Sequence, residues 1–188
     1  MQNAVFSKAL ISSDTWVKKL AMVVLGSMAI AIAAQIEVPM FPVPMTLQTL
    51  VISTIGLTFG ARMAGLTLLA YIAEGAMGLP VFAGMGFGLA KLMGPTAGFI
   101  WGFVGMAFLT GWMVENGFGR GFVRLFIAAA VPAALLYVPG VLVLSIIVPS
   151  LDVTSSFTIG ALPFLIGDLV KSVLAVLVVA GGLKALKG

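Results

Sequence analysis

The sequence predicts an all-α integral membrane protein, a bundle of six transmembrane helices with both termini in the cytoplasm. Three observations support this fold class: an apolar composition, long uncharged segments and a one-sided distribution of basic residues. Of the 188 residues, 61% are hydrophobic and 9% are charged, and the mean hydropathy is +1.22. A soluble domain keeps roughly a quarter of its residues charged, so lipid must surround much of this chain. The length suits a single membrane domain, residues 1–188.

The charged residues divide the sequence into apolar segments that are long enough to cross a bilayer. A tilted helix needs roughly 17 residues to cross ~30 Å of hydrocarbon. Four segments without charge meet that length, and a shorter span follows Arg62, while a last apolar segment contains two charges. The predicted helices span about 17–36, 46–61, 63–79, 95–114, 122–148 and 160–184.

Prolines and glycines predict the connections. Residues 38–44 contain three prolines, so this segment cannot be the interior of a helix and is expected to be extended. Residues 78–88 form a glycine-rich apolar loop between the third and fourth predicted helices. Residues 149–158, with Asp152 and several hydroxyls, join the fifth helix to the sixth.

The basic residues indicate the orientation of the helices. If the N-terminus is cytoplasmic, the inner ends of the predicted helices carry eight basic residues, whereas the outer loops carry only Lys91. Because cytoplasmic loops are enriched in Lys and Arg, this asymmetry predicts that both termini are cytoplasmic and that the proline and glycine loops lie outside. The eight inner residues are Lys8, Lys18, Lys19, Arg62, Arg120, Arg124, Lys184 and Lys187.

Composition excludes several classes of function. The chain has no cysteine and no histidine, which removes thiol nucleophiles and the usual zinc and haem ligands, so we expect no metal site and no cofactor. No phosphate-binding loop or other catalytic constellation occurs, and the chain is therefore predicted not to be an enzyme. The net charge of +4 comes from basic residues that are dispersed singly or in pairs, which does not fit a nucleic-acid interface.

Asp168 and Lys171 are charged residues inside the last apolar segment. At a spacing of three they lie on the same side of the predicted helix, and each charge costs about 2.5–3.5 kcal/mol near the bilayer centre. One interpretation is an internal ion pair that holds this helix to its neighbours. Because a buried pair often contributes little net stability, we favour a second interpretation. Both side chains would face a cavity and bind a polar ligand, such as one with a carboxylate and an amide-like group.

The glycine-rich loop is a candidate for a lid over a ligand. The alternative is that it only connects two helices, but an apolar loop at a membrane surface is tolerated best when it lines a cavity. Gly84 and Gly86 would let the backbone approach a ligand closely. Phe82, Met85 and Phe87 would supply an apolar wall.

Three further residues have open interpretations. Gln48, just past the prolines, is a candidate amide contact for a ligand. Glu74, near the outer end of the third predicted helix, could contact the ligand or serve as a proton-linked site, although contact with headgroups or water is the preferred interpretation. Tyr137 is expected to be an interface anchor or a packing residue.

The first predicted helix carries small residues at helical spacing, Ala29 and Ala33 among them. Small residues let helix backbones approach closely in lipid, so this stripe predicts a contact face. The contact is either with another helix of this chain or with a partner protein.

Four short motifs now fall into a recognisable order. They occupy residues 41–48, 78–84, 94–98 and 163–171 and read FPVPMTLQ, GLPVFAG, GPTAG and PFLIGDLVK. In this order and spacing the chain resembles the BioY family over about residues 17–184. Members of that family are the biotin-binding S components of energy-coupling factor (ECF) vitamin transporters.

The resemblance implies a fold, a ligand and partners. The fold would be the six-helix bundle of an ECF S component, with a pocket for biotin that opens outward and is capped by the two outer loops. Asp168 and Lys171 match pocket residues of the family, and Ala29 and Ala33 match its contact with the transmembrane T component. Two cytoplasmic ATP-binding-cassette ATPases, docked on the T component, would power uptake across the cytoplasmic membrane.

Three rival functions remain at the level of sequence. The main alternative is a stand-alone secondary transporter for biotin or a related small carboxylate, with Asp168 or Glu74 as a proton site. The lack of an inverted-repeat signature argues mildly against it. A membrane-embedded enzyme acting on lipid is disfavoured by the absence of His and Cys, and a structural assembly subunit would gain nothing from the paired charges.

Overall fold

The computed structural model describes residues 16–185, with side chains as far as residue 182. Most of this range is α-helical, and two short strands, β1 (Glu37–Val38) and β2 (Met45–Thr46), pair antiparallel. The described helices are α1 (Trp16–Gln35), α2 (Gln48–Phe59), α3 (Ala61–Ala76), α4 (Leu89–Leu92), α5 (Ala97–Met113), α6 (Phe122–Leu135), α7 (Tyr137–Ile147), α8 (Val153–Gly160) and α9 (Leu162–Ala185).

Four stretches within the described range are long and apolar enough to cross a membrane. They are Trp16–Gln35, Ala97–Phe118, Phe122–Ile147 and Leu162–Gly182, whereas Gln48–Phe59 is apolar but shorter. These lengths confirm a helical, multi-pass membrane protein. The count of six spans and the orientation stay predictions. Lys8 and Lys187 lie outside the described residues, as does the side chain of Lys184.

The boundary between α2 and α3 differs from the predicted one. The prediction placed the break at Arg62, but the chain turns at Gly60, whose φ of 80° and ψ of 169° belong to a conformation that glycine adopts most easily. The side chain of Glu115, from the turn after α5, accepts a hydrogen bond from the free N–H of Ala61 at 3.0 Å. A single glycine therefore joins two helices, and a carboxylate on a neighbouring turn caps the second one.

One predicted helix is interrupted, and an unpredicted short helix precedes another. The fifth, predicted over 122–148, divides at Leu136 into α6 and α7, because Pro132 and Pro139 lack the N–H groups that would continue the hydrogen-bond ladder. The sixth, predicted over 160–184, corresponds to α9, and the separate helix α8 (Val153–Gly160) precedes it where most of the connection 149–158 was predicted. Asp152 begins α8, because its side chain accepts a hydrogen bond from the N–H of Ser155 at 2.8 Å.

The two outer connections are non-helical, as predicted. Residues 39–44 with their three prolines lie between β1 and β2, which pair Glu37 with Thr46 and Val38 with Met45. The glycine-rich segment 78–88 contains a tight turn at Ala83–Met85 and leads into α4. Both loops lie at the same end of the bundle, because α1, α3 and α5 bring their termini there.

Helix α5 lies at the centre of the bundle and packs against α2, α3, α6 and α7. Its most apolar stretch is 56% buried inside the protein, against 28% for α1. Glycines permit the close packing, since a Cβ atom at Gly98 would overlap the Pro139 carbonyl and one at Gly111 would overlap the Ala61 backbone. The neighbours of α5 separate toward the two outer loops, where they surround a cavity.

Candidate functional site

A cavity lies beneath the two loops, at the end of the bundle that the basic residues predict to be outer. Its volume is about 120 Å³, compared with roughly 10–15 Å³ for one water on the same measure, so it can admit part or all of a small organic molecule. Apolar and aromatic groups form most of its wall, with a few polar side chains among them. The lining residues used below are Thr46, Gln48, Thr49, Tyr71, Phe82, Lys91, Phe99, Phe103, Tyr137, Phe164, Asp168 and Lys171.

The carboxylate of Asp168 is the centre of a polar cluster in this cavity. It is 7% exposed and accepts hydrogen bonds at Oδ1 from the Thr49 hydroxyl at 2.8 Å and from Lys171 Nζ at 3.0 Å. The hydroxyl of Tyr137 donates to Oδ2. A buried charge is costly unless it is paired and hydrogen-bonded. These three donors, from three different helices, therefore hold the carboxylate in one position.

The ammonium group of Lys171 connects α9 to the hairpin formed by β1 and β2. Besides its contact with Asp168, Nζ donates to the backbone carbonyl of Thr46 in β2 at 2.7 Å. An ammonium group has three N–H donors, so one remains for a ligand. The structure thus brings Asp168 and Lys171 to one cavity, as the spacing predicted, and their role as ligand contacts stays a prediction.

Gln48 also lines the cavity, at the first residue of α2. Its side chain is buried, and its Nε2 donates to the hydroxyl of Tyr71 at 2.9 Å while its Oε1 accepts from the Thr46 hydroxyl at 3.0 Å. The Tyr71 hydroxyl in turn donates to the carbonyl of Val81 at 2.9 Å. Gln48 therefore connects the cavity wall to the glycine-rich loop.

The remaining wall is largely aromatic. Phe82 is 3% exposed and packs edge-to-face against Tyr71, with ring centroids 5.4 Å apart, while Phe99, Phe103 and Phe164 contribute further rings. Such rings offer a large apolar surface to a flat ligand. Between residues 16 and 185, no group of three or more acidic side chains is placed to bind a metal ion.

The middle of the glycine-rich loop does not reach the cavity. Met85 and Phe87 are 62% and 58% exposed, and neither they nor Gly84 and Gly86 line the cavity wall. Of the five predicted loop contacts, the structure places only Phe82 there. The turn at Ala83–Met85 explains this, because it directs the side chains beyond Phe82 outward. Ligand contact by Gly84, Met85, Gly86 and Phe87 stays a prediction.

The two alanines of α1 have different surroundings. Ala33 is 4% exposed and packs inside this chain, whereas Ala29 is only partly buried. Of the two interpretations of the stripe, the position of Ala33 fits contact with another helix of this chain. The free face of α1 consists of larger apolar residues, which are Val17, Leu20, Val24, Leu25, Met28 and Ile32.

Glu74 is half-buried and has a hydrogen-bond partner within the bundle. Its Oε1 accepts a hydrogen bond from the hydroxyl of Ser27 at 2.7 Å, and Ser27 is fully buried between α1 and its neighbours. Glu74 does not line the cavity. The parallel packing of α1 and α3 brings a serine within reach of the carboxylate, and contact of its remaining surface with headgroups or water stays a prediction.

Sequence reasoning missed several cavity residues. Tyr137, interpreted as an anchor or packing residue, is 7% exposed and donates to Asp168. Thr49 and Tyr71 carried no signal, although Thr49 follows Gln48 directly and Tyr71 is one of only two tyrosines. Lys91, noted only as the one basic residue of the outer loops, lies at the cavity edge and makes no ion pair with residues 16–182. The position of Lys91 as the one basic residue of the outer loops could have marked it as a candidate ligand contact.

Comparison with known proteins agrees with the geometry. A sequence model of the BioY family matches residues 2–188. The "Probable biotin transporter BioY" of Pyrococcus horikoshii is 35% identical over 86% of this chain and 93% of that protein. The "Biotin transporter BioY" of Thermotoga maritima is 34% identical over 79% of this chain and 86% of that protein.

A solved structure shows the fold. The crystal structure of the S component for biotin from an ECF-type ABC transporter aligns with a TM-score of 0.81 over 92% of this chain and 94% of that chain. At 24% sequence identity the likeness concerns the arrangement of helices. The family match covers nearly every residue, and it includes all four motifs and the cavity they surround. The chain belongs to the BioY family.

Proposed function

We propose that this chain binds biotin in the cavity and serves as the substrate-specific component of an ECF-type transporter in the cytoplasmic membrane. The observation that carries the proposal is the buried Asp168–Lys171 pair, 3.0 Å apart, at the wall of an aromatic cavity. Biotin transporters of the same family supply the identity of the ligand.

The chemistry of biotin fits the distribution of polar groups. Its fused rings carry a planar ureido group, with two N–H donors and one carbonyl, and a flexible chain ends in a carboxylate. In our proposal the ureido group meets Asp168 as acceptor and the remaining N–H of Lys171 as donor. The rings then lie against Phe82 and the other aromatic side chains, and the carboxylate reaches toward the unpaired ammonium of Lys91.

The partners follow from what the chain lacks and from its free surface. The sequence contains no phosphate-binding loop, so ATP hydrolysis would come from separate ATPases acting through a T component. Helix α1 exposes a continuous apolar face and is the least buried of the four long spans. We propose this face, with Ala29 at its edge, as the contact with the T component, and six spans with both termini cytoplasmic.

Equilibrium binding of labelled biotin to the purified chain tests the proposal. We expect saturable binding with one site per chain and competition by unlabelled biotin. The double variant Asp168→Asn/Lys171→Met, which removes both charges together, serves as the control for non-specific partition into detergent or lipid. Binding that does not saturate, or that is equal in this variant, would refute the assignment of the site.

Transport by the chain alone would distinguish the main alternative. A stand-alone secondary transporter would accumulate biotin in vesicles without any ATPase and would respond to a proton gradient. Our proposal expects accumulation only when a T component and ATPases are reconstituted with the chain and supplied with ATP.

A further inference from the structure

The side chain of Gln35 holds the glycine-rich loop at both sides of its turn. Gln35 is the last residue of α1, and its Nε2 donates to the carbonyl of Phe82 at 3.1 Å. Its Oε1 accepts a hydrogen bond from the backbone N–H of Met85 at 2.9 Å. Nε2 also contacts its own helix at the Ala31 carbonyl, 3.1 Å away, which orients the amide.

The turn that Gln35 holds is strained. Phe82 and Gly86 exchange two backbone hydrogen bonds of 3.0 and 3.1 Å, which close a tight hairpin. The two residues at its tip, Gly84 and Met85, have φ of 62° and 55°. Two successive positive φ angles define a type I′ turn, which favours glycine at the second position. A methionine there is unfavourable by itself, so an external contact must help to hold the turn.

This turn places the side chain of Phe82 against the ligand cavity. The Phe82 ring is 3% exposed and lies over Gly75 of α3, where a Cβ atom would overlap the ring. Tyr71 contacts the ring edge-to-face, and its hydroxyl binds the carbonyl of the preceding residue, Val81. Phe82 is the only residue of the turn's two arms whose aromatic ring lines the cavity. Gln35 is therefore connected to the cavity through its hydrogen bond to the Phe82 carbonyl, because the Phe82 ring lines the cavity wall.

We propose that Gln35 is a positioning residue for ligand binding: it fixes the strained turn so that Phe82 covers one side of the bound ring system. The inference rests on the proposed biotin function and extends it to a residue that does not itself line the cavity. Gln35 would act mainly on how long the ligand stays bound, because a displaced Phe82 opens the cavity wall.

The primary test is Gln35→Leu, which keeps the size of the side chain and removes its hydrogen bonds. We expect labelled biotin to bind roughly 10- to 100-fold more weakly, mostly through faster dissociation, as for the loss of two hydrogen bonds. Gln35→Glu keeps the acceptor for the Met85 N–H but sets an oxygen against the Phe82 carbonyl, so it should lose affinity as well.

The matched control removes a similar bond at the other end of the bundle. Glu115 also joins its side chain to the backbone of another segment, at the Ala61 N–H. Glu115→Leu should lower the melting temperature yet leave the affinity for biotin within about twofold, because it is remote from the cavity. This control separates a loss of general stability from a loss of positioning.

A second substitution, in the loop, tests whether the lost biotin affinity can be restored. Such a recovery is not expected if Gln35 only stabilises the fold. Met85→Gly relieves the positive-φ strain, so the turn should hold its shape without the amide of Gln35. The double variant Gln35→Leu/Met85→Gly should recover at least half of the lost affinity on a logarithmic scale.

Each result has a definite meaning. Gln35→Leu or Gln35→Glu with native affinity and dissociation rate would overturn the inference, and so would a loss in Gln35→Leu that Met85→Gly fails to rescue. The unmutated chain is measured first. If it does not bind biotin, the proposed function fails; if it binds and the variants are unaffected, only the role of Gln35 fails.

Discussion

The two ends of the bundle are built from different kinds of residue. The cavity half, toward the outer loops, has a core with six buried aromatic residues, which are Tyr71, Phe82, Phe99, Phe103, Tyr137 and Phe164. The closed half, at the opposite end, has a smaller core without a fully buried aromatic residue, which consists of Leu57, Val114, Leu125, Ala128, Ala129, Ala175, Val176 and Val179.

The difference shows how one bundle can hold a cavity at one end and be closely packed at the other. Small side chains in the closed half let α2, α6 and α9 approach one another closely. Large rings in the cavity half keep the same helices apart and leave space between their edges. One buried polar group from each half also differs, since Asp168 has three donors in the cavity half, whereas the Thr110 hydroxyl on α5 has no partner among residues 16–182.

The largest expected effect comes from breaking the charge pair of the cavity half. Asp168→Ala or Lys171→Met alone strands the opposite charge, whose side chain is about nine-tenths buried. Removing one partner of such a pair costs roughly 3–5 kcal/mol, and we expect biotin affinity to fall by two to three orders of magnitude. Binding assays and thermal melting of both single variants measure this effect.

The double variant distinguishes ligand binding from packing. Asp168→Asn with Lys171→Met removes both charges, so no buried charge is left unpaired and much of the stability should return. If the pair binds the ligand, the double variant still fails to bind biotin. A stable double variant with native affinity would show that the pair only holds α9 in place.

The next effect belongs to the close packing at the closed end. Gly111→Ala places a methyl group against the backbone of Ala61, which cannot move aside as a flexible side chain would. Overpacking of this kind costs about 1–3 kcal/mol. We expect a lower melting temperature, while the folded fraction keeps its affinity for biotin.

Gly105→Ala is the matched control on the same helix. Nothing lies within 4 Å of a Cβ atom at Gly105, and alanine is the better helix former, so the melting temperature should stay the same or rise. Equal destabilisation by both substitutions would mean that glycine in α5 serves the helix itself and not the contact with α3.

Tyr137→Phe has a smaller expected effect, because water can reach the cavity and replace the lost donor to Asp168. Because Asp168 keeps its donors Thr49 and Lys171, we expect a cost of about 1 kcal/mol, less than the roughly 1.5–3 kcal/mol of a hydrogen bond to a charge, which corresponds to roughly fivefold weaker binding of biotin. Thr110→Val, which removes the unpartnered hydroxyl toward the closed end, should not reduce affinity or stability. A loss in the second variant and none in the first would reverse the difference between these two polar groups.

The smallest effect concerns a carboxylate outside the bundle. Hydrogen bonding by the Ser155 side chain and then by the Ser155 N–H lowers the pKa of the Asp152 carboxyl below its ordinary value. The stabilisation of α8 is therefore present above the unfolded pKa of Asp152 and is lost as the pH falls through its lower folded pKa. Asp152→Asn keeps an N-cap and should remove this acid dependence of the melting temperature. An unchanged pH profile would show that the cap is not coupled to folding.

Several elements could be predicted from local sequence because a local cause acts on each of them. Proline at residues 39, 42 and 44 excludes helix wherever the chain goes, and the segment 39–44 is indeed a hairpin loop. The spacing of Asp168 and Lys171 places them on one helix face in any packing. The ends of helices were less predictable, since the break at Gly60 depends on Glu115 and that at Leu136 on two separate prolines.

The hydrogen-bond partners of each polar group could not be predicted from the local sequence. Thr49 and Tyr137 are 119 and 31 residues from Asp168 in sequence, and no periodicity relates them. The same holds for Ala33, whose small side chain fits a partner helix or a helix of this chain equally well until the packing is known. Gln35 illustrates the point further, because its function depends on a loop that begins more than 40 residues later.

The sequence by itself determined that this chain lies in lipid and that the proline segment 38–44 is not helical, because transfer free energy and proline geometry act residue by residue. The tertiary structure decided which of those charges and hydroxyls meet, which face of α1 stays free, and that Phe82 rather than Met85 or Phe87 of the glycine-rich loop reaches the cavity. These outcomes, including the contact of both Phe82 and Ala83 of the glycine-rich loop with the cavity, depend on how closely each pair of helices can approach, and that distance is set by glycines and rings from distant segments acting together.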